Sequence, residues 1–317
     1  MNIIQVACGT RHSLFLSKNG DVYGMGYNHY SQLGLENKNT TTITLIPNIH
    51  DIVQIACGGN HSFFLASDGR VYACGDNIHH QLGIQDDNKI STPTLISNIY
   101  DIVYIACGRN HTLFLASDGS VYVCGKNDKG QLGIQDDNKI HTPTLIPNVS
   151  NIVYIACGHE HSIFLASDGR VYGCGNNRSY QIGLQEDKIS IPTLIPIEYT
   201  VVQIACGSNH SMFLAMDSRV YACGDNSKKH LGLQDGSISI PTIIPNIHNI
   251  VSIAGDLAFN IFIDKNGYVH KYSNNICGRL NIEDKIISVA CNDSYVLCLN
   301  QYGIAHKVNN HVMIHNE

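Results

Sequence analysis

The sequence predicts an all-β chain wound into a seven-bladed propeller of four-stranded antiparallel blades. Three observations carry that expectation: a short phrase returns seven times, each return divides into four strand-like runs, and no stretch has a helical period. The phrase reads QVACGTRHSLFL, QIACGGNHSFFL, YIACGRNHTLFL, YIACGHEHSIFL and QIACGSNHSMFL, then SIAGDLAFNIFI and SVACNDSYVLCL in two worn copies. Its anchors are Cys8, Cys57, Cys107, Cys157, Cys206, Gly255 and Cys291, separated by 49, 50, 50, 49, 49 and 36 residues. The copies run nearly end to end, so residues 1–317 are read as one closed array with a shortened sixth blade.

The second copy, residues 51–98, shows the unit. Ile52 to Ala56 is a short apolar strand that Cys57-Gly58 interrupts. His61 to Ala66 is almost continuously apolar, as a strand buried on both faces should be. Ser67-Asp68-Gly69 is a hairpin turn, its glycine suited to positive φ, and Val71 to Cys74 is the third strand. After the loop GDNIHHQLGIQDDNKIST, Pro93 to Ile96 is a fourth strand whose proline marks it as an edge. The turn glycine recurs as Gly20, Gly119, Gly169, Gly267 and Gly303, whereas the fifth copy has Asp217-Ser218. A non-glycine residue in the left-handed region costs roughly 1–2 kcal/mol, so that turn is expected to be strained or of another type. The C-terminal run His311 to His315 is expected to supply a fourth-type strand to the first blade, fastening the termini together and removing an open edge.

Composition narrows the function classes. The net charge of -6 offers no footprint for a phosphate backbone, which argues against nucleic acid. No apolar stretch approaches a membrane span, and MNIIQVACGT lacks the regions of a secretory leader, so a soluble monomer is expected. Ten of the twelve cysteines fall in the recurring IACG and VYxCG phrases; their spacing is the repeat itself and not a disulfide framework. Free cysteine packs as a small hydrophobe, and glycosylation-type sequons such as Asn60-His61-Ser62 run into buried strands. Both observations favour a reducing compartment, cytoplasm or nucleus.

The combination ACGGNHSFFLASDGRVYACGDN with Gln81-Leu82-Gly83 and a following proline strand resembles the regulator of chromosome condensation repeat family, and copies one to five carry it throughout. Tryptophan-aspartate and kelch propellers normally show Trp, and this chain has none. The resemblance implies a seven-bladed propeller used mostly as a protein-binding platform. The founding member of that family exchanges nucleotide on a Ran-type small GTPase and sits on nucleosomes.

The recurring Cys-x3-His pairs, Cys8/His12, Cys57/His61, Cys107/His111, Cys157/His161 and Cys206/His210, have zinc-ligand chemistry. Each pair supplies only two ligands, and the worn copies replace His by Phe259 and Tyr295. Rings of similar bulk in its place point to packing and hydrogen bonding, so neither metal nor cofactor is expected. Buried and neutral, those imidazoles should have lowered pKa values and make the fold acid-sensitive. Serine follows histidine in the strand, so the two point to opposite faces and form no catalytic dyad.

Recognition is expected on loops, since segments such as QLGIQDDNKI at 81–90 and 131–140 are identical and cannot distinguish one side of the ring from another. The variable places are the two residues before His, continued by Asp256 and Asn292-Asp293, and the pairs after the GxN turn, including His79-His80 and Asp128-Lys129. Candidate partner-binding residues are therefore Arg11, Asn60, Arg109, His159, Glu160, Asn209, Asp256 and Asp293. No phosphate loop, nucleophile elbow or recurring carboxylate pair is present in the sequence. The expected function is a non-enzymatic scaffold binding a protein partner; the alternative is an exchange factor or effector on a small GTPase, for which His159, Glu160, Asp256 and Asp293 supply the acidic and imidazole groups.

Overall fold

A computed structural model describes residues 2–309 apart from 37, 38, 137, 234, 235, 257, 258, 275 and 293. None of the described residues is helical. Blade one comprises β1 (Ile3–Cys8), β2 (His12–Ser17), β3 (Val22–Tyr27) and β4 (Asn39–Leu45), hydrogen-bonded in that order. The same antiparallel order repeats in blades two (Ile52–Leu95), three (Ile102–Leu145), four (Ile152–Leu194), five (Val201–Ile243) and six (Ile250–Arg279). Blade seven, Ile286–Asn309, shows three strands among the described residues, one fewer than the sequence led us to expect. The sixth blade is short because its fourth strand, Ile276–Arg279, follows the third almost at once, without the long loop of the earlier copies.

In each blade the second strand is buried along nearly its whole length because it is the middle of a stack. The core therefore lies between blades. Phe63, Leu65 and Val71 of blade two pack with Ile102, Ile105 and Phe114 of blade three, and the Phe63 and Phe114 rings meet edge to face at 5.4 Å. In blade two the fourth strand runs Ile90–Leu95, starting three residues before Pro93.

The fifth-blade turn keeps the form of the others. Ser218 adopts φ 66° and its N–H bonds to the Ala215 carbonyl at 2.9 Å, as Gly69 at φ 81° does to Ala66 at 3.0 Å. The strain expected of a side chain there is accepted.

Among the described residues all four strands of blade one come from residues 3–45, and the strand expected at His311 to His315 lies outside the described residues. Blade seven packs directly on blade one. Ile3, Val6 and Phe15 form a cluster with Leu297 and Leu299, Ile3 N–H reaches the Gly303 carbonyl at 3.0 Å, and Ser13 Oγ meets Tyr295 Oη at 2.7 Å.

The innermost strands line a central channel and would leave their backbone edges unpaired. Glutamine side chains close them. Gln54 Nε2 donates to the Ile105 carbonyl at 3.0 Å while its Oε1 accepts Ile105 N–H at 2.9 Å, and Gln5 treats Ile55 the same way at 3.1 and 2.9 Å. Blades three and four place Tyr104 and Tyr154 there, joined through their hydroxyls at 2.8 Å.

Candidate functional site

The recurring Cys-Gly-x-x-His segment builds both the ring's framework and its mouth. Cysteine ends the first strand, glycine begins a tight turn, and histidine opens the second strand; Gly58 N–H bonds to the His61 carbonyl at 2.9 Å, and the same bond forms at Gly9, Gly108, Gly158 and Gly207. The His61 ring lies against Gly58. A Cβ at Gly58 would overlap that ring and come within 2.7 Å of the Gly108 carbonyl oxygen of the next blade. The glycine is required by close approach, not by its φ.

Each histidine then reaches across to the next blade. His12 Nε2 meets Ser62 Oγ at 2.9 Å, His111 meets Ser162 and His161 meets Ser211 at 3.0 Å, and His61 meets Thr112 Oγ1 at 3.4 Å. Those hydroxyls already donate to the carbonyls of Gln32, Gln131, Gln181 and Gln81, so the imidazole must be the donor, protonated on Nε2. The Gln carbonyls belong to the QLG loops, so each loop is a clasp on the following blade. Cys74, Cys124, Cys174 and Cys223 complete that clasp, their thiols within 3.4 to 3.7 Å of the same carbonyls.

Burial sets the protonation of these groups. It lowers His12 to about 4 and His61, His111 and His161 to about 3, and holds His210 well below the usual imidazole range. Burial also pushes the Cys8 and Cys206 thiols up to about 12, so they are thiols rather than reactive thiolates near neutrality. The expected packing and hydrogen-bonding role of the histidines is thus seen directly. Among the described residues no group of three His, Cys, Asp or Glu side chains is arranged to hold a metal ion.

Beyond the cysteines the channel widens into a funnel of about 490 Å³. Thr10, Gly59, Arg109, His159 and Ser208, each directly after the turn glycine, form its rim. Adjacent turns lean on one another: His159 N–H bonds to the Ser208 carbonyl at 3.0 Å, and His159 Nε2 meets Ser208 Oγ at 2.9 Å. Of the expected site residues, Asn60, Arg109, His159 and Asp256 line this funnel. Asp256 does so from a different register. Its N–H bonds to the Phe259 carbonyl at 3.2 Å, which puts it at the glycine position rather than among the variable pair, and Asn292 matches it in blade seven.

Arg11, Glu160 and Asn209 stand outside the funnel wall. Arg11 is exposed, its guanidinium carbon 6.0 Å from the Tyr27 ring centroid. Glu160 is engaged by Lys126 Nζ at 3.4 Å and Asn176 Nδ2 at 3.1 Å, and Asp293 lies outside the described residues. From the second variable set, Tyr30 and His79 reach the funnel, together with Asp76 and Ile78. Partial burial, then the nearby Lys126, lowers the pKa of His79. His80 instead turns inward, buried against His141 in a 3.8 Å stack with its Nε2 2.7 Å from Asp87, and is a framework residue. Sequence reasoning missed the Gln-to-hydroxyl clasp; the signal was that Gln-Leu-Gly or Gln-Ile-Gly and His-Ser or His-Thr persist together through copies one to four.

A family model described as the RCC1-like domain matches residues 1–200, and one described as the regulator of chromosome condensation (RCC1) repeat matches residues 201–229. The chain belongs to the RCC1 repeat family. Among curated proteins, none matches this sequence. Solved structures with the same fold include human WBSCR16, 23% identical over 95% of this chain and 87% of that one, with a TM-score of 0.87. Prp20p of Saccharomyces cerevisiae, described together with its binding properties to Gsp1p and histones, is 24% identical over 97% of this chain and 83% of that one, with a TM-score of 0.86. Yeast RCC1 (Prp20) bound to Kap60 gives 24% identity, 97% and 81% coverage and a TM-score of 0.85. Within this RCC1-repeat chain the family signature is a framework device, and the funnel is where the copies differ.

Proposed function

We propose that this RCC1-repeat propeller is a non-enzymatic interaction module that takes a protein partner at the funnel mouth. One observation carries this: the His-Ser-Gln belt is almost uniform around blades one to five, while the rim above it presents Thr10, Gly59, Arg109, His159 and Ser208, a different side chain in each blade. A rigid ring with a varied rim suits recognition of one asymmetric surface. The twelve free cysteines fit a reducing compartment, cytoplasm or nucleus.

The test is affinity isolation with the wild-type chain and with Arg109→Glu and Asn60→Arg variants whose melting temperatures are unchanged. Proteins held by the wild type and lost from both variants support the funnel; an identical set from all three rules it out. A second function, action on a small GTPase, is favoured by His159 and Asp256 at the mouth and by the binding of Gsp1p described for Prp20p. Accelerated release of labelled nucleotide from a purified small GTPase would establish it.

A further inference from the structure

The opposite mouth of the channel carries a feature that the funnel does not explain. In all seven blades the pairing of first and second strands slips by one residue at the same place, between Ile3 and Gln5, Ile52 and Gln54, and their equivalents. A bulge of this kind re-aims the extra side chain. The residues so turned out are Ile4, Val53, Val103, Val153, Val202, Val251 and Ile287, each between 46% and 53% exposed, while the isoleucine or valine before each is buried. Every copy keeps an aliphatic β-branched residue there, including copies six and seven, which have lost the histidine, the glycine and the QLG loop. The channel lining begins one residue later, at Gln5 and Gln54, so the seven side chains ring the mouth from outside. Single exposed valines are ordinary, but seven aliphatic side chains at equivalent places around one mouth concentrate apolar surface there.

Charge on the same face is uneven. Blades two and three present Asp51, Asp68, Asp101 and Asp118 around this mouth against one guanidinium, Arg70, which is held by Asp68 at 2.6 Å. Tyr100, 75% exposed, stands beside Asp101. Blade four lacks the excess, since Asp168 is paired with Arg170 at 2.7 Å and Asn151 replaces the preceding aspartate.

We propose that this face is a second docking surface, and that its occupant is a protein segment carrying apolar side chains flanked by lysine or arginine. The valines take the apolar anchors and the acidic arc of blades two and three takes the cations, fixing where around the ring the segment lies. The probe is a fluorescein-labelled 16-residue peptide alternating leucine and lysine, with a leucine–glutamate peptide of equal length as its counterpart, followed by anisotropy.

The lysine peptide should bind and the glutamate peptide should not. Val53→Thr/Val103→Thr, which keeps the β-branch and removes apolar surface, should weaken binding on the order of tenfold. Asp101→Asn/Asp118→Asn should weaken it severalfold and flatten its salt dependence. Arg109→Glu, on the funnel, should leave it unchanged, so this surface and the funnel can fail separately. Equal binding of both peptides, undiminished binding by the threonine variant, or loss through Arg109→Glu would overturn the proposal. So would sedimentation showing a dimer that the threonine variant dissociates, which would assign the ring to a second copy of this chain.

Discussion

Blades one to five and blades six and seven solve the same packing problem in different ways. At the junctions between blades one to five, a histidine over a glycine donates to the next blade's hydroxyl, which donates to a QLG carbonyl. Between five and six the partners change together. Asn260 replaces the serine and accepts His210 Nε2 at 2.7 Å, while His230 replaces the glutamine, receives Asn260 Nδ2 on its carbonyl and donates to His210 Nδ1 at 3.1 Å. Between six and seven the belt is gone. Phe259 stands for histidine, Val296 for serine, and the two share one apolar cluster. Between seven and one Tyr295 hands a hydroxyl to Ser13, so the ring closes with a polar contact again.

The difference teaches that donor and acceptor are one unit. A buried imidazole without its hydroxyl leaves an unsatisfied donor, which costs roughly 1–3 kcal/mol, so losing both is cheaper than losing one. Glycine follows the same rule: where histidine is lost, Asp256 and Asn292 occupy its place.

Acid should break the first five blades before the last two. The five belt histidines have folded-state pKa values lowered by burial, to about 4 for His12, about 3 for His61, His111 and His161, and well below normal for His210. Their unfolded value is about 6.5, so the unfolded chain binds more protons in between. Stability is complete above about pH 6.5 and is lost as the pH falls from there toward the folded values. At pH 5.5 His12, His61, His111 and His161 each contribute a loss of about 1 kcal/mol, and His210 adds a loss in the same direction. A melting temperature that stays constant from pH 7.5 to 5.5 would contradict this.

Next in size is Gly108→Ala. A Cβ there overlaps the His111 ring and lies 2.7 Å from the Gly158 carbonyl oxygen, so denaturant unfolding should show a loss of roughly 3 kcal/mol or more. Adding His111→Ala should recover part of that loss by vacating the space; a double variant no better than the sum of the two would break the link between glycine and histidine.

The six–seven junction offers a sharper test. Phe259→His alone should destabilise by about 1–3 kcal/mol because its donor faces Val296. Phe259→His with Val296→Ser should fall short of the summed single losses by about 1 kcal/mol in a double-mutant cycle. Strict additivity would mean that the belt is not a pairwise unit. The smallest effect belongs to Ser218→Gly, which relieves φ 66° and should stabilise by about 0.5–1 kcal/mol in the same assay.

Much of the fold was legible because the period is. Seven anchors, a run such as HSFFLA buried on both sides, and turn glycines 49 or 50 residues apart through the first four copies leave little freedom in strand order. The candidate site was legible only in part. Arg109 and His159 vary at a visible place and do line the funnel, yet Glu160, one residue on, points to Lys126 and Asn176. His80 looked like its exposed neighbour His79, and only its stack on His141 shows it to be framework.

The amino-acid order alone determined the blade count, the four-strand unit and the burial of the imidazoles, because each is a local pattern copied along the chain. Tertiary structure decided what crosses between copies. It joined each belt histidine to a hydroxyl or amide about fifty residues on, closed blade seven on blade one by packing, set Asp256 at the glycine position, and used one bulge per blade to turn a valine or isoleucine outward. Those outcomes depend on which groups the ring brings within hydrogen-bond or van der Waals reach, and sequence spacing does not encode a distance across a gap between sheets.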